Sequence, residues 1–211
     1  MRAMDGERGR PSSIRKLELL EAAYRYVLVR GITDISLRPL AAAIGSSPRV
    51  LLYLFGSRDG LIRALLARSR REELRLLGEL RAEAGGGLDE AANRLWTWLA
   101  DPQRRGLLTL WLEGYARSLV DPTGPWAGFA RSTVQDWLAL LAHHQTSPDT
   151  AAAEAERTHV LAVLRGAVLD LLATGDTDRI TLAVRRALDP ATKDRDGPDR
   201  RRQRLDRRAD A

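Results

Sequence analysis

The 211-residue chain has no cysteine, two methionines, three histidines and only 5% aromatic residues, and each scarcity removes a class of chemistry. Without cysteine there are no disulfides, no thiolate nucleophile and no sulfur-ligated metal, which agrees with a reducing compartment. His143, His144 and His159 are too few and badly placed for a metal centre, because adjacent histidines on a helix point in different directions and no carboxylate completes a set. No metal, cofactor or catalytic residue is expected, since neither a Ser, His and Asp arrangement nor a nucleophile elbow stands out. Lysine is nearly absent as well, occurring only at Lys16 and Lys193, so the basic side chains are almost all arginine. No apolar run approaches the roughly 20 residues of a membrane span, and MRAMDGERGRPSS lacks the apolar core of a signal peptide. A soluble, non-enzymatic cytoplasmic protein is the expectation.

What is present is helical periodicity with a basic bias. The formal charge is +6, and residues 1 to 60 hold ten Arg or Lys against six acids, an excess of four. A basic domain gains salt-dependent affinity for phosphates, although a charge excess of this size alone is usually a solvated face. Strand signals and internal repeats are absent.

The densest local signal is DISLRPLAAAIGSSPRVLLYLFGSRDGL, residues 34 to 61. Ser36 is an N-cap type, and Leu37, Leu40, Ala41 and Ile44 follow at helical spacing. Gly45 breaks that helix; Ser47 and Pro48 then supply an N-cap and a first-turn proline for the next. In this second helix Leu51, Leu54 and Phe55 share a packing face, with Arg49, Leu52 and Tyr53 opposite. Gly56 ends it, and Ser57 caps a third helix that starts at Arg58, a cation at the unfavourable end of the helix dipole. A phosphate would explain that placement. The layout is a helix-turn-helix.

Ser36, Leu37, Arg38, Leu40, Ala41, Gly45, Ser47, Pro48, Leu51, Tyr53, Phe55, Ser57, Arg58, Asp59 and Leu61, preceded by Ile14, Leu17, Ala22, Ala23, Tyr24 and Gly31, resemble the N-terminal signature of TetR-family transcriptional regulators. The resemblance covers about the first 65 residues. It departs from the usual pattern at Arg49, Leu52 and Leu54, where a small residue, an aromatic, and a histidine or aromatic are usual. The resemblance implies a DNA-binding regulator that acts as a homodimer and releases double-stranded DNA when a small-molecule effector enters the C-terminal region.

The all-α fold expected has about nine or ten helices: an arm and three-helix DNA-binding domain over 1–60, a helical ligand-binding and dimerisation domain over 61–188, and a disordered charged tail over 189–211. The first helix is expected from about Ser13 to Arg30, after a flexible arm over 1 to 12. A long helix runs from Arg58 to the glycines at 85 to 87; others are expected at 88–100, 103–119, 126–144, 148–174 and 177–188. The glycine triplet lacks the residues a phosphate-cradling loop needs, so it is read as an ordinary loop. The helix over 148–174 is apolar around much of its circumference, so with 126–144 it is the expected dimer interface.

In the expected mechanism Arg49 pairs with guanine, and Val50 and Leu52 either meet thymine methyls or simply pack in the core. Ser36, Arg38, Ser47, Pro48, Tyr53 and Arg58 position the backbone. The two heads of a dimer would address a near-palindromic operator with half-sites about 34 Å or somewhat more apart. Trp96, Trp111, Tyr115, Phe129 and Trp137 are effector-pocket candidates, although aromatics at helical spacing are more often plain core. Alternatives are a helical ligand-binding protein or enzyme without specific DNA binding, and an adaptor that keeps the fold but has lost DNA reading.

Overall fold

The computed structural model describes residues 6–32, 35–82 and 86–189, with side chains described from residue 13 onward. Every regular element among them is helical: α1 (Gly6–Arg30), α2 (Leu37–Ala43), α3 (Pro48–Phe55), α4 (Arg58–Ala82), α5 (Leu88–Leu99), a 3₁₀ turn (Pro102–Arg104), α6 (Arg105–Val120), α7 (Phe129–His143), α8 (Ala151–Thr174) and α9 (Thr177–Leu188). The all-α expectation holds.

Helix ends fall where local chemistry stops or starts a ladder. Gly31, Gly45, Gly56 and Gly175 take positive φ just beyond helix ends, a conformation that costs glycine nothing. Three boundaries differ from expectation. Helix α1 is already formed at Gly6, seven residues before Ser13, because arginine and glutamate are good helix formers even in a polar segment. Residues 1–5 of the expected arm lie outside the described residues, as do the glycine at 85 and the tail from 190 onward. Helix α7 starts at Phe129 rather than near Trp126, since Pro122, Gly124 and Pro125 hold a turn in which Ala127 donates to the Gly124 carbonyl and Phe129 to that of Trp126. Helix α8 starts at Ala151 because Thr150 caps it, its Oγ1 accepting from the Ala153 amide at 3.2 Å.

The packing divides into two units, residues 1–78 with 103–136, and 79–102 with 137–211. Helix α4 runs unbroken through residue 60, and α6 packs on α1. In the first unit Gly106 brings the α6 backbone so close to the last turn of α1 that an added Cβ would overlap the Leu28 carbonyl oxygen.

The same unit contains a polar knot among α1, α4 and α6. Trp111 Nε1 donates to buried Ser69 Oγ at 2.9 Å. Burial pushes the Tyr24 phenol up, against a hydrogen bond with Ser69 that pulls it down. The Arg68 guanidinium lies 4.5 Å from the Tyr24 ring centre and bridges Glu21 at 2.6 Å and Glu72 at 3.2 Å. The bond to Glu21 raises the Arg68 pKa further. Burial would raise Glu72, but hydrogen bonds from Arg75 and Arg68 outweigh it and hold the carboxyl below its usual range.

In the second unit α5 packs on α8 and α9, burying Leu95, Trp96, Leu164, Leu171, Ile180 and Val184, and Trp96 Nε1 donates to Thr181 Oγ1 at 3.0 Å.

Two glycines test this packing in opposite senses. Gly106→Ala should cost about 2 kcal/mol or more, because the clash is with backbone rather than a flexible side chain. Gly78→Ala, an exposed position in α4 with nothing near the new methyl, should stabilise by about 0.5–1 kcal/mol. Urea unfolding of both variants measures the difference.

Candidate nucleic-acid interface

Helices α2 and α3 pack on one another through Leu40, Ala41, Leu51 and Phe55, all buried, and the turn between them is Ile44 to Ser47. Gly45 supplies the left-handed residue at φ 64°, and the Ser46 amide reaches back to the Ala41 carbonyl at 2.8 Å. Ser47 then starts α3, its Oγ accepting from the Val50 amide at 3.3 Å, with Pro48 in the first turn. A tight glycine turn, a capping serine and a proline therefore set the angle between the two helices.

The outward face of α3 carries Arg49, Val50, Leu52 and Tyr53. Tyr53 is 80% exposed, Leu52 41% and Val50 38%, so the two aliphatic side chains are not consumed by the core; Leu54 is half-buried. Arg49 is exposed beside them. Ser36 and Arg38 are exposed at the start of α2. Ser36 occupies the N-cap position of α2 but makes no capping hydrogen bond through its side chain.

Arg58 is more engaged than its position in the sequence suggests. Its Nε donates to the Ile35 carbonyl at 3.0 Å, tying the start of α4 to the link between α1 and α2. Ser57 Oγ caps the same helix by accepting from the Gly60 amide at 2.9 Å.

Two residues of this region escaped sequence reasoning. Lys16 places its Nζ 5.3 Å from the ring centre of Phe55, bringing a cation from α1 to the end of α3. Glu113 accepts from the Ile32 amide at 2.7 Å through Oε2. Glu113 is the only acid in α6, RGLLTLWLEGYARSLV, and that isolation was the available signal.

The aromatic candidates for an effector pocket are split. Trp111, Tyr115 and Phe129 belong to the first unit, Trp96 and Trp137 to the second. Trp111, Phe129, Trp96 and Trp137 are buried, and Tyr115 is half-buried. Within the second unit an open cleft of about 380 Å³ is bordered by Trp96 together with Asn93, Thr97, Ala100, Asp101, Thr181 and Arg185. Trp96 is the one aromatic of the five at this cleft, whose walls are more polar than an aromatic-lined pocket. The His143 and His144 rings meet edge to face at 5.5 Å, and burial, helped by Arg94, lowers the His144 pKa. Among the described residues no group of three or more His, Cys, Asp or Glu is disposed to hold a metal ion, and no helix is long and apolar enough to cross a membrane.

The helical architecture with this head superposes on solved regulators. A transcriptional regulator from Rhodococcus aligns with a TM-score of 0.70 at 20% identity, over 82% of this chain and 93% of that one. A TetR transcription regulator from Haloarcula marismortui aligns at 0.63 and 20% identity, over 83% and 95%. The chain has the fold of TetR-type regulators. No family model matches it. Among curated proteins it is 29% identical to the HTH-type transcriptional regulator BetI of Brucella anthropi over 137 residues, 65% of this chain and 58% of that protein. It is 28% identical to the HTH-type transcriptional repressor AcnR of Corynebacterium diphtheriae over 173 residues, 80% and 86% of the two chains. The chain thus spans a little over half the length of the BetI relative.

Ser47 and Ser36, both at N-cap positions, separate structure from surface. Ser47→Ala should lower stability by about 1 kcal/mol through loss of its cap, whereas Ser36→Ala, with no cap bond to lose, should stay within about 0.5 kcal/mol of the parent. Differential scanning calorimetry distinguishes the two.

Proposed function

We propose that the protein is a transcriptional regulator that binds double-stranded DNA as a homodimer through α3. The observation that carries this reading is the division of α3 into a buried face, Leu51 and Phe55, and an exposed face, Arg49, Val50, Leu52 and Tyr53, behind a short capped turn. A helix packed by one side and open on the other can enter a major groove. Arg49 pairs bidentately with a guanine, and Val50 and Leu52 lie against thymine methyls. Tyr53, Ser36, Arg38, Ser47, Pro48 and Arg58 set register on the phosphates, and Lys16, held beside Phe55, adds a cation to the same side. The regulators among its relatives, including the repressor AcnR, support this reading.

The dimer face we favour is α8 with α9 rather than α7 with α8. On α8 the residues Ala155, His159, Ala162, Gly166, Leu169 and Ala173 recur at helical spacing and are exposed; Leu169 is 50% and Leu182 of α9 is 72% exposed. The exposed positions of α7 are instead Arg131, Gln135, Ala139 and His143. Small side chains let two helices approach closely, and the leucines supply apolar area to bury. Two heads joined in this way read a near-palindromic operator, and a small-molecule effector in the helical body releases them. The helical body also carries no residue to which we assign a catalytic role.

Arg49→Ala should reduce affinity for the operator by about ten- to hundredfold while leaving binding to unrelated DNA nearly unchanged, since a bidentate base contact is worth about 1–3 kcal/mol. Fluorescence anisotropy with DNA upstream of the protein's own gene is the measurement, and equal binding by the variant removes Arg49 from the reading surface. For the dimer, Leu169→Asp with Leu182→Asp should shift the mass measured by light scattering from two copies to one; an unchanged mass places the interface elsewhere.

A further inference from the structure

We propose that Glu113 is the positioning residue that fixes the reading head against α6, an inference that rests on α3 being the DNA-reading helix. The described residues of the link from α1 to α2 make two backbone hydrogen bonds. Gly31 closes α1 by donating to the Val27 carbonyl at 2.9 Å, and the Ile35 amide donates to the Ile32 carbonyl at 3.2 Å. Among the described residues of the link, two side chains from distant helices add anchors. From α6, Glu113 Oε2 accepts from the Ile32 amide at 2.7 Å; from α4, Arg58 Nε donates to the Ile35 carbonyl at 3.0 Å. One anchor takes the donor and the other the acceptor, so the link is held from both sides just before α2 begins.

The surroundings leave Glu113 little choice of position. Gly31 has φ 78°, and a Cβ there would stand 2.7 Å from Glu113 Oε1, so the carboxylate occupies the space a side chain at 31 would take. Ile32 and Ile35 are buried, which keeps the link from sliding along its length. Gly106, two turns earlier on α6, touches the Leu28 carbonyl, so α6 meets the last turn of α1 and the residue after it together. A hydrogen bond from an amide to a charged acceptor is short and directional, unlike the apolar contacts beside it. Removing it frees the Ile32 amide and takes away one of the two side-chain bonds that hold the described residues of the link. A reading surface needs its side chains held to about 0.5 Å, and a head with one anchor loses affinity without losing its helices.

The test compares Glu113→Ala and Glu113→Gln in the full chain, Gln keeping a neutral acceptor in place. DNA retained by the parent protein from genomic fragments is the probe. Glu113→Ala should bind it about tenfold more weakly with a shallower salt dependence, and Glu113→Gln within about threefold of the parent. Amide exchange over residues 30–36, measured without DNA, should accelerate in Glu113→Ala and not in Glu113→Gln. Parental affinity in Glu113→Ala, or equal loss in both variants alongside a lower melting temperature, overturns the positioning role. If the parent retains no DNA, the DNA-reading function falls, and unchanged exchange in Glu113→Ala overturns the anchor by itself.

Discussion

The contact between Gly106 on α6 and the Leu28 carbonyl on α1 is the constraint on which the rest of the first unit depends. A head of about sixty residues buries too little apolar surface to be stable with much margin, so it borrows area from the helix packed beneath it. Glycine at 106 permits backbone contact there, and every neighbouring interaction presupposes that distance. The Ile32 amide reaches Glu113, Trp111 reaches Ser69, and Tyr24 is covered by Arg68, all within the same α1, α4 and α6 assembly. A residue larger than glycine at 106 would press directly on the Leu28 backbone.

The assembly is polar where α1 enters it and apolar around α2 and α3. Directional bonds fix the position of the head, whereas the contact of Leu40, Ala41, Leu51 and Phe55 fixes the angle between α2 and α3. Arg58 joins the two by holding the Ile35 carbonyl from the first turn of α4. Its location at a helix N-terminus, unfavourable for a cation on dipole grounds, is explained in part by this bond; a phosphate is a further partner in the proposed complex.

Much of this was legible in the sequence because it is local. Gly45, Ser47, Pro48 and Gly56 set the limits of α2 and α3 within a few residues of one another, and Thr177 to Leu188 is bounded by Gly175 and Pro190. Features that depend on partners far along the chain were not legible. Glu113 lies 81 residues from Ile32, and nothing in either neighbourhood announces the pairing. The packing of α6 on α1 was hidden for the same reason, since α6 joins that unit only in space. The α1 start was missed because a polar, proline-containing segment reads as an arm by composition although its residues favour helix. For α3, the burial pattern shows what composition left open: Val50 and Leu52 are at the surface, beside exposed Arg49 and Tyr53.

Selection of bound sequences from a random double-stranded DNA pool by the full-length protein tests the central claim most directly. The expected result is enrichment of a near-palindrome whose half-sites contain a guanine for Arg49 and flanking thymines for Val50 and Leu52, spaced by about one helical turn or somewhat more. A pool that emerges with no sequence enriched over the input would contradict it.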